Sequence, residues 1–193
     1  MKKKLKDKKI AFDFDGVIAD TNKEKIKWLR SKGFCIECAD KTSFYSELSQ
    51  TLSNVGIEEL YNYMSNIIFQ PEILYKTKPI LGAIETIKKL SQKFNIYIIT
   101  ARTEELIKPV YDWLKKYDLN EDIQEIISSS YESKQDICSK NNICFLCDDD
   151  ARHLIDKKVK IRVLFSTDKR KAKSDISVVE SWYEIERILL ELS

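Results

Sequence analysis

Apolar positions along this chain fall into two patterns that take turns. Short unbroken apolar runs, rich in β-branched and aromatic residues, stand at 10–12 (IAF), 96–100 (IYIIT), 125–129 (EIISS), 143–147 (ICFLC) and 161–165 (IRVLF). None alternates apolar with polar, and runs of that kind predict strands covered on both faces, as in a parallel sheet. Between them apolar residues recur every third or fourth position, which predicts helices over 83–94, 103–117, 133–141 and 180–192. Thr103 followed by Glu104 and Glu105 reads as a helix start, and Pro109 is expected to kink or delimit that helix. Strand and helix in alternation predict the α/β class with a doubly wound parallel sheet.

Residues 20–78 break the alternation. No strand run occurs there, and helical spacing dominates at Ile26 and Leu29 and again at Leu60, Tyr63, Met64, Ile67 and Ile68. This predicts an inserted helical cap over 20–78, with residues 1–19 and 79–193 forming the α/β core. The stretch KTKPILGA (76–83), with Pro79 and Gly82, reads as the return into the core.

Composition narrows the function classes. With 33 Lys and Arg against 31 Asp and Glu, the formal charge of +2 is too balanced to argue for a nucleic-acid polymer or a membrane as partner. The basic start MKKKLKDKK reads as a solvated terminus ahead of the first strand. No signal-type or membrane-spanning apolar stretch occurs. Five cysteines, an odd number without short regular spacing, point to reduced thiols and a cytoplasmic protein.

Charge collects where the predicted strands end. The first run closes on Asp13-Phe14-Asp15-Gly16, the second on Thr100-Ala101-Arg102, and the fourth on Asp148-Asp149-Asp150, with Lys134 on the segment just before it. Two carboxylates about 4 Å apart repel by roughly 4 kcal/mol at an effective dielectric near 20. A fold keeps such groups together only with a compensating cation or a shared proton. In open α/β sheets ligands bind beyond the carboxyl ends of the strands, so these clusters are expected to meet at one edge.

The ordered set of DxDG, then Thr, then Lys, then an aspartate pair, together with the inserted cap, resembles the phosphatase branch of the haloacid dehalogenase superfamily over the chain beyond its basic start. The resemblance implies a HAD-like, Rossmannoid fold and a Mg²⁺-dependent phosphatase acting on a small phosphate monoester through an aspartyl-phosphate. Asp13 is then the nucleophile, and Asp15 is the acid that protonates the leaving oxygen and the base that afterwards activates water. Thr100 binds a phosphoryl oxygen and Lys134 neutralises charge. Mg²⁺ is held by Asp13, the Asp15 carbonyl and a late aspartate: Asp149 is favoured, Asp148 is the alternative, and Asp150 is the expected N-cap of the helix that follows. Gly16 allows the turn beside the metal, and Ala101 and Arg102 lie on the substrate side. Arg102 is equally read as half of a surface ion pair.

Similarity of SKQDICSKNNICFLCDD and VVESWYEIERIL to 5′-nucleotidase-like members implies a nucleotide 5′-monophosphate as substrate. A phosphomutase would share every one of these residues, and a receiver-like phosphoacceptor domain gathers similar groups but leaves 20–78 unexplained. CIEC (35–38) and CFLC (144–147) are too far apart for a zinc ribbon, so no zinc is expected. His153 reads as a helix residue near the site, and Trp28, Phe34, Tyr45, Tyr61 and Tyr63 read chiefly as cap core. Lys23, Lys25 and Lys27 suit an anionic substrate or a solvated helix face.

Overall fold

The computed structural model describes residues 8–34, 56–167 and 175–191. Six strands among them pair in parallel: β1 (Lys9–Phe12), β2 (Asn95–Thr100), β3 (Ile123–Ser128), β4 (Ile143–Asp148), β5 (Ile161–Phe165) and β6 (Ser177–Val179). Their order is β3-β2-β1-β4-β5-β6. The chain builds outward from β1 in one direction, then returns to its other side, so the order reverses between β1 and β4. A doubly wound sheet places its ligand crevice outside the strand ends at such a point.

The unbroken apolar runs are explained by two cores. Ile10, Phe12, Ile96, Ile98, Phe145 and Cys147 face one side and Ala11, Tyr97, Ile99 and Leu146 the other. On the first side lie α4 (Ala83–Leu90), α5 (Glu104–Lys116) and α7 (Trp182–Leu190), which bury Ile87, Val110, Trp113, Trp182 and Ile185. On the second lies α6 (Lys134–Lys140), through Ile137 and Cys138. Apolar burial of this kind contributes about 25 cal/mol per Å².

Pro109 does not delimit its helix: α5 runs on through it. The carbonyl that loses its partner belongs to Glu105, an exposed residue, where water can take over. Strand β6 has only three residues and carries no run long enough to stand out. The segment after Asp150, expected as a helix, is a single 3-10 turn over Ala151–Leu154.

The described part of 20–78 contains α1 (Thr21–Ser31), α2 (Ile57–Ile68) and the single turn α3 (Pro71–Leu74). Ile26, Leu29, Met64 and Ile68 form a third core, separate from the two on the sheet, with Trp28, Phe34 and Tyr61 packed against it. Tyr63 is instead mostly exposed. Tyr45, Cys35 and Cys38 lie outside the described residues. The segment leaves and rejoins the sheet layer side by side: Asp20 N–H donates to Lys78 O at 2.9 Å and Ile80 N–H to Ile18 O at 2.8 Å. Buried indoles fix both crossings, Trp182 Nε1 donating to Val17 O at 2.8 Å and Trp113 Nε1 to Thr77 O at 2.9 Å. Among the described residues no helix is long and apolar enough to cross a membrane.

Candidate active site

Strand β1 pairs with both β2 and β4, Phe12 standing beside Ile98 and Cys147. The ladder continues one residue further, where Asp13 N–H donates to Cys147 O at 2.8 Å. Register alone therefore sets Asp13 level with Asp148. Lys134 closes the group: as the first residue of α6, whose start Ser133 caps by accepting from Asp136 N–H, it reaches down to Asp13 Oδ1 at 2.9 Å and Asp148 Oδ2 at 2.7 Å. A cation at a helix N-terminus is unfavourable toward the dipole, and the two carboxylates offset this.

Carboxylate oxygens of Asp13, Asp148 and Asp149 all lie within 4.8 Å of one another. Burial pushes the Asp13 carboxyl well above the usual carboxylate range, opposed by Lys134 and reinforced by Asp148, Asp149 and Asp15. Asp149 is pushed up to about 7, by burial first and then by Asp148, against the pull of Lys25 and Asn22. Lys134 goes up as well: burial works against its charge, but Asp13 and Asp148 outweigh it. The cluster is short of positive charge, which suits a hard divalent cation with oxygen ligands.

Gly16 makes the close approach possible. Its φ of +85° is in the left-handed region, and a Cβ there would stand 2.3 Å from Asp149 Oδ2 and 2.9 Å from Asn22 Nδ2. Asn22, the second residue of α1, donates to Asp149 Oδ2 at 3.1 Å and accepts from Lys25 Nζ at 3.3 Å. Lys25 is only 3% exposed. Its charge is held against the cost of burial by Tyr61 and by the carboxylates of Asp149, Asp15 and Asp13.

Asp15 has a different partner. Arg102 Nε and Nη2 donate to Asp15 Oδ2 and Oδ1, each at 2.9 Å, and Nη1 donates to Phe69 O at 2.8 Å. Burial would raise the Asp15 carboxyl, but the charge and hydrogen bonds of Arg102 hold it below the usual range. Arg102 is fully buried, so the surface-pair expectation is overturned. Thr100 is fully buried beside it, its hydroxyl accepting from Arg102 N–H at 3.2 Å.

A cavity of about 230 Å³ joins these parts. The core contributes Asp13, Asp15, Ala101, Lys134 and the 148–150 aspartates, and the inserted segment contributes Lys25, Tyr61 and Phe69. Asp149 also lines a neighbouring cavity, together with Gly16. Asp150 accepts from Arg152 N–H and pairs with its guanidinium at 2.6 Å, capping the 3-10 turn. His153 is at the cavity edge, its imidazole pushed down by burial.

Sequence reasoning did not single out Asn22 or assign Lys25 to the site. The available signal was position: both stand within ten residues of Asp15 on a helix that begins at Thr21, so one helical face must look back at the aspartates.

A family model described as 5′ nucleotidase, deoxy (Pyrimidine), cytosolic type C protein matches residues 7–192. No curated protein sequence matches the chain. Among solved structures the chain is similar to a haloacid dehalogenase-like hydrolase from Streptococcus pneumoniae (TM-score 0.63, 15% identity, 94% of this chain and 98% of that one). It is similar to the magnesium-bound HAD-hydrolase YfnB from Bacillus subtilis (0.58, 13%, 95% and 98%). It is also similar to an L-2-haloacid dehalogenase from Xanthobacter autotrophicus (0.58, 10%, 96% and 99%).

Proposed function

The chain belongs to the cytosolic type C 5′-nucleotidase family and is a phosphoric monoester hydrolase of the haloacid dehalogenase superfamily, and on that premise we propose that it cleaves nucleotide 5′-monophosphates through an aspartyl-phosphate. The observation that carries this reading is the seating of Asp13 against Lys134, with Asp148 and Asp149 close by and Asp15 two residues on.

A carboxylate oxygen of Asp13 attacks phosphorus, and the bond from phosphorus to the ester oxygen breaks. Asp15, ionised beside Arg102 in this state, takes up a proton from solvent as the anionic substrate binds and gives it to that oxygen, so the leaving group departs as an alcohol. Water then adds to the phosphorus of the acyl phosphate while Asp15 takes its proton. The Asp13–phosphorus bond breaks and inorganic phosphate leaves. Lys134 stays beside Asp13 throughout and offsets the charge on the phosphoryl group, with Thr100 as a hydrogen-bond donor to it.

The residues fit Mg²⁺. Three buried carboxylates whose oxygens cluster within 4.8 Å, with Asp149 pushed up to about 7, are the donor set that ion prefers. Asp13, Asp149 or Asp148, and the Asp15 carbonyl would hold it, and it would supply the positive charge that lets a carboxylate approach an anionic phosphoryl group.

The family model's own description supports a deoxynucleotide with a pyrimidine base. Residues 20–78 act in this reading as a cap whose Tyr61, Phe69 and Lys25 complete the cavity and exclude water. Phosphate release is measured across nucleotide, sugar and cofactor monophosphates, with Mg²⁺ and with chelator. Rapid acid quench with a ³²P-labelled nucleotide is expected to leave label on the protein, and Asp13→Asn to abolish label and turnover together. Wild-type turnover in Asp13→Asn would refute the scheme.

A further inference from the structure

Arg102 spends its guanidinium on two parts of the molecule that are remote in sequence. One edge of the fork takes both oxygens of Asp15 at 2.9 Å, and the remaining nitrogen takes the backbone carbonyl of Phe69 at 2.8 Å. Phe69 follows α2 directly, and its ring centroid lies 4.3 Å from the guanidinium carbon, with the Phe14 ring centroid at 5.5 Å. The group is fully buried and does not line the cavity that Asp15 and Phe69 share. An arginine for phosphate would present its fork to the cavity, and this one presents it to a carboxylate.

A planar fork bound through two parallel hydrogen bonds fixes the plane of its partner carboxylate. The close Phe69 ring and the fork's third bond to Phe69 O then hold the guanidinium in place. The direction in which Asp15 points is thus tied, through one rigid side chain, to where the end of α2 sits.

We propose that Arg102 is a positioning residue that aims the Asp15 carboxylate at the leaving oxygen, and that it does so only while Phe69 is docked against it. The inserted segment thereby completes the acid site through Phe69. This rests on the phosphatase reading above.

The test is leaving-group dependence. p-Nitrophenolate departs without a proton, whereas the 5′-oxygen of a nucleotide does not, and kcat/KM reports the first bond-breaking step. Arg102→Met is expected to lower kcat/KM for a nucleotide monophosphate by about 100-fold while lowering it less than about threefold for p-nitrophenyl phosphate. Arg102→Lys, which keeps the charge but not the fork, is expected to recover only part of the loss. Phe69→Leu leaves the pair with Asp15 intact and guards against a variant that fails to fold; it is expected to show the same bias at about fivefold.

Equal losses on both esters, in any folded variant, would overturn the assignment and leave a merely structural ion pair. A wild-type protein that hydrolyses neither ester would bring down the phosphatase reading and this proposal with it.

Discussion

Gly16 and Asp149 approach so closely that no side chain fits at position 16: a Cβ on Gly16 would stand 2.3 Å from Asp149 Oδ2. Gly16→Ala must displace that carboxylate and also hold alanine at a φ of +85°. The backbone cost alone is about 1–2 kcal/mol. The variant is expected to melt a few degrees lower and to bind Mg²⁺ at least tenfold more weakly, as titration calorimetry would show. Wild-type metal affinity in Gly16→Ala would mean that Asp149 does not hold the ion.

The acid cluster gives the metal-free protein a pH dependence of definite sign. In the folded state Asp149 takes up a proton near pH 7, against an ordinary value of 3.8, so between those values the folded state binds more protons than the unfolded one. Its contribution is present at low pH and is lost as pH rises toward 7. In chelator, Asp149→Asn is expected to gain stability over wild type as pH goes from 5 to 8. For the wild type, Mg²⁺ should raise the melting temperature more at pH 8 than at pH 5. A pH-independent Mg²⁺ effect would contradict this.

Lys25 sits where a cation acts oppositely on two ligands. Replacing it with Met removes positive charge near Asp149, Asp15 and Asp13. Metal affinity is expected to rise and KM for a phosphate dianion to rise as well, each by about three- to tenfold. Both quantities moving in the same favourable direction, or neither moving, would remove Lys25 from the site.

Trp182 ties the turn after Asp15 to the last helix through Nε1–H donated to Val17 O at 2.8 Å, in a fully buried setting. Trp182→Phe leaves that carbonyl without its donor, at a cost of about 1–3 kcal/mol. For a chain of this size the melting temperature should drop by roughly 3–10 °C. An unchanged melting temperature would show that the bond carries nothing.

What sequence could disclose follows from how far each signal reaches. The acids at 13, 15 and 148–150 are legible because they end apolar runs, and strand ends in one parallel sheet share an edge whatever the strand order. That Asp13 and Asp148 stand level depends on β1 pairing with β4, a contact across 135 residues (Phe12 to Cys147) that no local pattern encodes. Lys25 looks locally like Lys23 and Lys27, and only the docking of α1 over the aspartates decides which lysine is buried. Arg102 reads as a surface residue for the same reason, its partners being 87 and 33 positions away.

The crossings at Asp20–Lys78 and Ile18–Ile80 have one more consequence. Because both passages are stitched together by backbone bonds and pinned to tryptophans of α5 and α7, the described helices between them hang from the framework as one insertion. Its sequence can drift, lengthen or be exchanged for another without unthreading a strand. The nucleophile and the strand-end acids are thus inherited with the framework, while the insertion it carries adds Asn22, Lys25 and Phe69 to them.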